Sequence, residues 1–477
     1  MSELDQHKLL DSSRRRVNRK WQTNVAKDFD ELISDLDYKT VQSGSRRLYA
    51  NHGIVKGAIQ QKATYSVGQA FLPRFLGTNK NWKSLATDWL SKWYQICSVN
   101  NFDFQTVLYL TSVTVDRDGD AFIMLTETKS GYPKIQCVPS HQIGQRNDAK
   151  RVTEGTYKGL KIRKGIITAK TGQPVAYRVL GETEADDKDV SALDMIHIFD
   201  PEYFEQSRGL GLFSHAINQF KDMADSTDKE MMAQLLLASI AFVEHNPFGG
   251  PDDFNAVDSY YYTSPDGKPT CEVFDDGTIK FFKSGDGSKL EPVSNNRPSA
   301  EYQAFHERLE RIALVGTGWP KVLLDAAQGN GTADRVALRQ GQKACEDRQS
   351  LLKPVALRII NYALSKAIKN GLLEFDPDFY KWGFSTPPAL SIDFGKDSSA
   401  IREEYKLGLR NLTDILEEQG KSLDDHLYQR ATEEAQAQLI REEVEKQYNV
   451  IIDPLNMRLT NPAQYQKTGE APEQEAA

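Results

Sequence analysis

The sequence predicts an α+β body interrupted by a helix–strand–helix excursion, and three features carry that expectation. A helix-like run extends from Arg208 to about Glu244. A β-rich insert from Asn246 to Arg297 follows it and leads into a returning helix from Ser299. Upstream, three helices between Ser43 and Val115 give way to short strands that continue to Phe199.

In the first of these, Leu212, Ala216, Ile217, Phe220, Met223 and Ala224 recur at i, i+3/i+4 and i+7, the spacing of one apolar stripe on a helix. After Asp228 the pattern changes. Met231, Met232, Leu235, Leu236, Leu237, Ile240, Phe242 and Val243 cover most of the circumference, so this half should meet protein on several sides. Unbroken, the helix would be the longest in the chain, roughly 50 Å at the usual rise per residue. A buried core helix is one reading; the β-rich insert at its far end suggests a rod.

The insert contains the turn signals Asp266-Gly267, Asp276-Gly277 and Gly285-Asp286-Gly287 between short β-branched and aromatic runs, the pattern of a small hairpin module. Ser299 is placed to cap the next helix, whose apolar face is Tyr302, Phe305, Leu309, Ile312 and Ala313. One helix leaves, a β module turns the chain, and another helix returns.

A chain of 477 residues can hold two or three cores, since one core stops growing near roughly 250–300 residues. Its 39% hydrophobic and 26% charged content fits a soluble globular protein. The longest apolar run, Leu235 to Val243, is far short of the ~20 residues that span a bilayer, and the first twenty residues are polar throughout. The expectation is a protein neither secreted nor membrane-embedded. Four scattered cysteines (Cys97, Cys137, Cys271, Cys345) show no paired spacing and suit a reducing compartment. A net charge of -8 argues against coating nucleic acid through a broad basic surface, although an acidic protein can still let DNA slide past.

Along the chain, residues 1–40 read as a solvated arm with a basic run at Arg14, Arg15 and Arg16. Helices are expected over Ser43–Val67, Asn81–Val99 and Phe104–Val115. A hairpin then follows over Ala121–Glu127 and Lys134–Val138, with further strands in Gly155–Leu180 and Asp194–Phe199. Gln328, Gly329, Asn330 and Gly331 form a flexible loop by composition. A helix from about Thr332 to Asn370 should kink at Pro354. Arg335, Arg339 and Lys343 share one of its faces, either a solvated stripe or phosphate contacts. Short β-like runs are expected around Phe375–Phe384 and Ala389–Phe394. A helix from Ser398 to Gly420, another from Leu423 to about Tyr448, and a polar tail without packing complete the chain.

No phosphate-binding loop, H-E-x-x-H or G-x-S-x-G pattern occurs, which removes the common nucleotide, zinc-protease and hydrolase signatures. Asp116, Asp118, Asp120 and Glu127 match calcium-loop positions, but Ala121 stands where a glycine must turn the chain. The stretch reads better as a turn into the hairpin. No metal or other cofactor is expected.

In order, these segments resemble portal proteins of tailed bacteriophages, and the lambda-like portal family in particular. The similarity is carried by SRRLYANHGIVKGAI, DGDAFIMLTE with PKIQCVPSHQI, MIHIFDPEYFEQSRGLGLFSHAI and REEYKLGLRNLTDILEEQGKSLDD, spread over most of residues 40–430. The resemblance implies a portal-protein fold: an α/β wing, a two-helix stem, a small β-rich clip, a kinked wing helix and a helical C-terminal crown. Its expected divisions are an arm at 1–40, wing at 41–207, first stem helix at 208–245, clip at 246–298 and second stem helix at 299–315. A tunnel-loop region at 316–334, wing again at 335–397, crown at 398–455 and a disordered tail at 456–477 complete them.

The same resemblance implies a non-enzymatic homo-oligomeric ring, usually of twelve subunits, at one capsid vertex of the virion, made in the host cytoplasm. Double-stranded DNA would be packaged and ejected through it, past Gln328, Gly329, Asn330, Gly331, Arg335, Arg339 and Lys343. The clip, with Tyr260, Tyr261, Tyr262, Phe281 and Phe282 at its interface, would meet the terminase large subunit and later the neck or adaptor proteins. The major capsid or scaffold protein is a further implied partner, and no membrane is. Twelve copies would carry a net charge on the order of minus one hundred, favouring passage over grip. Two other readings stand beside it: a metal-dependent DNA-processing enzyme, which needs clustered carboxylates, and another neck or connector protein.

Overall fold

The computed structural model describes residues 28–68, 71–146, 150–238, 242–245, 289–292, 299–324, 331–385, 387, 389–390, 394–418, 423–449 and 451. The chain divides into two compact units, Met1–Asn218 with Ala313–Ala477, and Gln219–Ile312.

The larger unit opens with α1 (Phe29–Leu32), α2 (Asp35–Asn51) and α3 (Gly53–Val67). Ser34 caps α2 by accepting from the Asp37 amide at 3.1 Å. Residues 28–40 are thus not the solvated arm expected of them. Phe29, Ile33 and Tyr38 are buried together, and the Phe29 ring stacks on Tyr203 at 4.6 Å. The single helix expected over 43–67 is two, because His52 takes an extended backbone between them.

After β1 (Pro73–Phe75) come α4 (Lys80–Ile96) and α5 (Phe104–Asp118). Asn79 and Asp103 accept from the amides of Trp82 and Thr106 at 3.1 and 2.7 Å. These caps satisfy amides that a helix start leaves without intrahelical partners. Strands β2 (Asp120–Glu127) and β3 (Pro133–Val138) form the expected hairpin. Strands β4 (Lys161–Arg163), β5 (Ile166–Thr168), β6 (Pro174–Val179) and β7 (Lys188–Ser191) make a four-stranded antiparallel sheet in chain order. β8 (Met195–Phe199) returns to pair with β2, giving the order β3-β2-β8.

β2 explains its own sequence. Its run Ala121-Phe122-Ile123-Met124-Leu125 does not alternate with polar residues because both of its faces are buried. Ala121 and Ile123 join the main core with Trp93, Leu108, Ile359 and Leu364. Phe122, one residue out of phase, packs with Ile166, Tyr177 and Met195 toward the four-stranded sheet.

In the smaller unit the expected helix 208–244 is shorter. A 3₁₀ turn at Ser214–Ala216 leads into α6 (Ile217–Ala238), and Phe242–His245 forms β9 instead of extending the helix. β9 pairs antiparallel with β10 (Lys289–Pro292) in the register Val243↔Glu291. The chain returns as α7 (Ala300–Val315), where the Tyr302 amide donates to Ser299 Oγ at 3.1 Å. Gln219 Nε2 donates to the Leu309 carbonyl at 2.6 Å and Tyr302 Oη lies 3.4 Å from Thr227 Oγ1, tying α6 to α7. The turns and strands expected over 246–288 lie outside the described residues.

Returning to the larger unit, α8 (Gly331–Lys369) runs 39 residues through Pro354 and, not the 208–244 segment, is the longest described helix. β11 (Trp382–Phe384) pairs with β1; around 375–381 the chain forms turns in place of the expected strand. Phe394 opens a helix where a strand was expected to end. The helix expected from 398 is split into α9 (Phe394–Lys406) and α10 (Leu412–Glu418), with Gly408 at φ 71° between them. α11 (Leu423–Tyr448) is the last described helix.

Candidate nucleic-acid interface

The candidate contact residues divide sharply. Gln328, Gly329 and Asn330 lie outside the described residues, as do Tyr260, Tyr261, Tyr262, Phe281 and Phe282. Gly331 is the first residue of α8. Arg335, Arg339 and Lys343 are exposed on α8, and none forms an ion pair among the described residues. Four-residue steps on a helix drift slowly around its axis, so the three cations make one short stripe. Glu346, held by Gln342 Nε2 at 3.0 Å, closes it one turn later.

The opposite side of α8 fixes the direction of that stripe. Leu352, Ala356, Ile359, Ile360, Ala363 and Leu364 are fully buried in the main core. Polar ties run along the same side: Gln349 Nε2 donates to the Ser66 carbonyl at 3.1 Å and Tyr362 Oη to the Thr126 carbonyl at 2.6 Å. Arg348 is buried and pairs with Asp116, whose carboxylate also receives Lys62 Nζ at 3.2 Å. A buried charge is tolerated only when paired, and Arg348 lies five residues beyond Lys343, half a turn round the helix from the stripe's middle. This pairing therefore orients the helix.

Asp116 belongs to a larger ionic junction. Asp118, at the end of α5, receives Arg46 at 2.7 and 2.8 Å and Arg117 at 2.8 and 2.9 Å. Burial pushes the Asp118 carboxyl up, but hydrogen bonds from Arg117 and Arg46 outweigh it and hold the group below its usual range. Asp120, the first residue of β2, is engaged by Arg208 and lies 3.4 Å from His197 Nε2 and from Tyr38 Oη. Burial opposes its charge, and the Arg208 guanidinium with the neighbouring donors still holds it well below the carboxylate range. Burial lowers His197 and Lys62, with Asp120 and Asp116 opposing only in part.

The Asp116–Asp120 stretch is thus the turn into the hairpin that the sequence suggests, running from the end of α5 to the start of β2, and its three carboxylates face three separate sets of cations. Gly119 makes the junction possible with φ 97°, a conformation open to glycine. The chain at 209 passes so near that a Cβ on Gly209 would lie 1.9 Å from the Gly119 carbonyl oxygen.

Arg208 was legible only as the start of a helix. In the structure all five of its N–H donors are used: Nε and Nη2 on Asp120, Nη1 on the Ile143 and Lys164 carbonyls at 2.9 and 2.8 Å, and Nη2 again on the Ser140 carbonyl at 3.0 Å. Its guanidinium also lies 4.9 and 5.0 Å from the Tyr38 and Phe122 ring centres. The sequence signal was an arginine beside Gly209 and Gly211, where the chain must run close to its neighbours.

No described helix is long and apolar enough to cross a membrane. A family model described as "Phage portal protein, lambda family" matches residues 14–349. No curated protein sequence matches the chain. Among solved structures, the chain is similar to one titled "Neck of native GTA particle computed with C12 symmetry", with 11% identity, 80% of this chain and 92% of that chain covered, and a TM-score of 0.47. A second, "Neck of empty GTA particle computed with C6 symmetry", has 10% identity, 79% and 92% coverage and a TM-score of 0.45. A third, "Virion of native gene transfer agent (GTA) particle", has 11% identity, 77% and 89% coverage and a TM-score of 0.42.

Proposed function

The chain belongs to the lambda family of phage portal proteins, and from that premise we propose that it assembles into a ring, of twelve copies, at one capsid vertex. Duplex DNA passes through the ring during packaging and ejection. The protein does no chemistry of its own; it guides DNA and presents the 246–298 segment first to the terminase large subunit and later to neck or adaptor proteins. The outer parts of the larger unit meet the major capsid or scaffold protein.

The observation that carries the reading is the pair α6 and α7. One helix leaves, a β9–β10 ladder comes next, and the other helix returns, with Gln219 and Leu309 bonded between them. Met231, Met232 and Leu235 on α6 are 56%, 67% and 69% exposed, and Phe305 and Ile312 on α7 are also exposed. A helix end apolar on so much of its surface needs covering. In a cyclic ring each subunit offers two different faces to its two neighbours, and such helices suit that arrangement. The stripe Arg335, Arg339 and Lys343, starting four residues into α8, is the supporting feature for weak phosphate contacts with moving DNA.

Against the enzyme reading, the carboxylates available for two-metal chemistry, Asp116, Asp118 and Asp120, are already committed to Lys62, Arg348, Arg46, Arg117 and Arg208. Class averages of the purified full-length protein test the proposal: rings with a central hole support it, and solid particles without one refute it.

A further inference from the structure

We propose that the four-stranded sheet carries a second, separate polyanion site: an exposed basic face, built on Arg151, Lys158, Lys161 and Lys170, that takes the phosphate backbone of duplex DNA.

Two adjoining segments build it. The 150–160 loop lies along the free edge of β4, joined by the antiparallel bridge Arg151↔Lys161 and by Val152 N–H to the Leu160 carbonyl at 3.0 Å and Ile162 N–H to the Lys150 carbonyl at 3.2 Å. Val152 and Ile162 are buried with Ile167 and Ala176, and Tyr157 and Leu160 pack against them. Neighbouring side chains on extended segments point to opposite faces. Anchoring Val152 and Ile162 inward therefore turns Arg151 and Lys161 outward. Lys161 opens β4 opposite Thr168, the last residue of β5, and Lys170 comes two residues later in the turn. Lys158 sits in the preceding turn, between Gly155 and Gly159, both at positive φ.

Arg151, Lys158, Lys161 and Lys170 are all exposed, and none is in an ion pair among the described residues; Arg151 only donates to the Gly159 carbonyl at 3.3 Å. Arg151 and Lys161 stand directly opposite one another across the bridge. Like charges in that position destabilise a sheet. Placing them there, in a chain of net charge -8, costs stability that an anion on the face restores.

The face favours nucleic acid over an acidic protein. Protein interfaces rely on apolar and aromatic anchors at their centre, and no large hydrophobic side chain between Phe102 and Leu193 is exposed among the described residues. Phosphate-binding surfaces are instead polar and positively charged. The only aromatic in the loop, Tyr157, is half-buried in the satellite core, which leaves no platform for stacking single-stranded bases. The contact is therefore to the backbone of a duplex and blind to sequence.

The test uses the full-length protein with Arg151→Gln, Lys158→Gln, Lys161→Gln and Lys170→Gln combined, beside a second variant with Arg335→Gln, Arg339→Gln and Lys343→Gln. Binding to a fluorescent mixed-sequence duplex of about 30 base pairs is titrated across salt concentrations, where each lost phosphate contact lowers the log–log slope by about 0.9. The expected result is an affinity loss of about tenfold or more and a slope reduced by about 3.6 in the sheet variant, with duplex protecting Lys158, Lys161 and Lys170 from acylation in the wild type. Loss in the sheet variant beyond that of the α8 variant marks a separate site, whichever way the channel reading falls. Sheet-variant affinity within about twofold of wild type overturns the proposal, as does protection of these lysines by an acidic polypeptide and not by duplex.

Discussion

Arg208 and Asp120, 88 positions apart, form a buried ion pair in which Arg208 Nη2 lies 3.1 Å from Asp120 Oδ1 and both side chains are essentially inaccessible to solvent. The pair joins the segment entering α6 to the first residue of β2. It fastens that segment directly to the central sheet.

Removing one partner strands the other charge in the interior. Arg208→Met and Asp120→Asn should each cost about 3–5 kcal/mol, read as a large fall in the denaturant midpoint. The double replacement should recover part of that loss, since no buried charge then remains unpaired.

The same junction gives stability a defined pH dependence. His197 has a folded value below its ordinary 6.5 because burial disfavours its charge. The unfolded chain then binds the extra proton more readily, so the contribution of a neutral His197 is complete above pH 6.5 and falls as pH drops below it. Asp118 and Asp120 are also held below their ordinary 3.8, so their contribution is lost on further acidification below that value. Melting temperatures across this range should decline in two stages, and His197→Gln should flatten the first.

Gly119 and Gly209 pass with no room for a side chain. Gly209→Ala should force the two segments apart and destabilise the fold by about 1–3 kcal/mol. Gly119→Ala adds a backbone penalty at φ 97° and should be at least as damaging. Chemical denaturation of both variants checks this.

Glutamine at Arg335, Arg339 or Lys343 should change stability by no more than about 0.5 kcal/mol each, because the residues are exposed and form no ion pair among the described residues. Their effect should appear in DNA packaging efficiency and its salt dependence, measured with otherwise intact particles.

Much of this architecture could be read from periodicity and caps. α4, α5 and the β2–β3 hairpin fall near their expected bounds because their apolar runs are local signals, while the caps Asn79 and Asp103 that fix the helix starts came only with the structure. The break at His52 and the split at Gly408 were missed, since both turn on backbone conformations that the flanking apolar spacing conceals. The strand at Phe242–His245 was hidden inside a run whose apolar residues suit a helix equally well; pairing with Lys289–Pro292 decides it. The ionic junction was not legible at all. Arg348 finds Asp116 from 232 positions away, and no local spacing carries that information. The stripe on α8 was legible as spacing, while its outward direction needed the buried face of the helix to be known.

The exposed apolar end of α6 bears on assembly most directly. Met231→Glu with Leu235→Glu should leave each subunit folded, as these side chains are already in solvent, and should weaken association between copies. Sedimentation of the variant against wild type measures the shift.

Electron microscopy of the purified full-length chain tests the central claim most directly. Closed rings with an open axial channel, and α6 and α7 of adjacent copies side by side around it, are the predicted result. Isolated subunits or compact dimers with no axial opening, at concentrations where wild-type protein is stable, would contradict it.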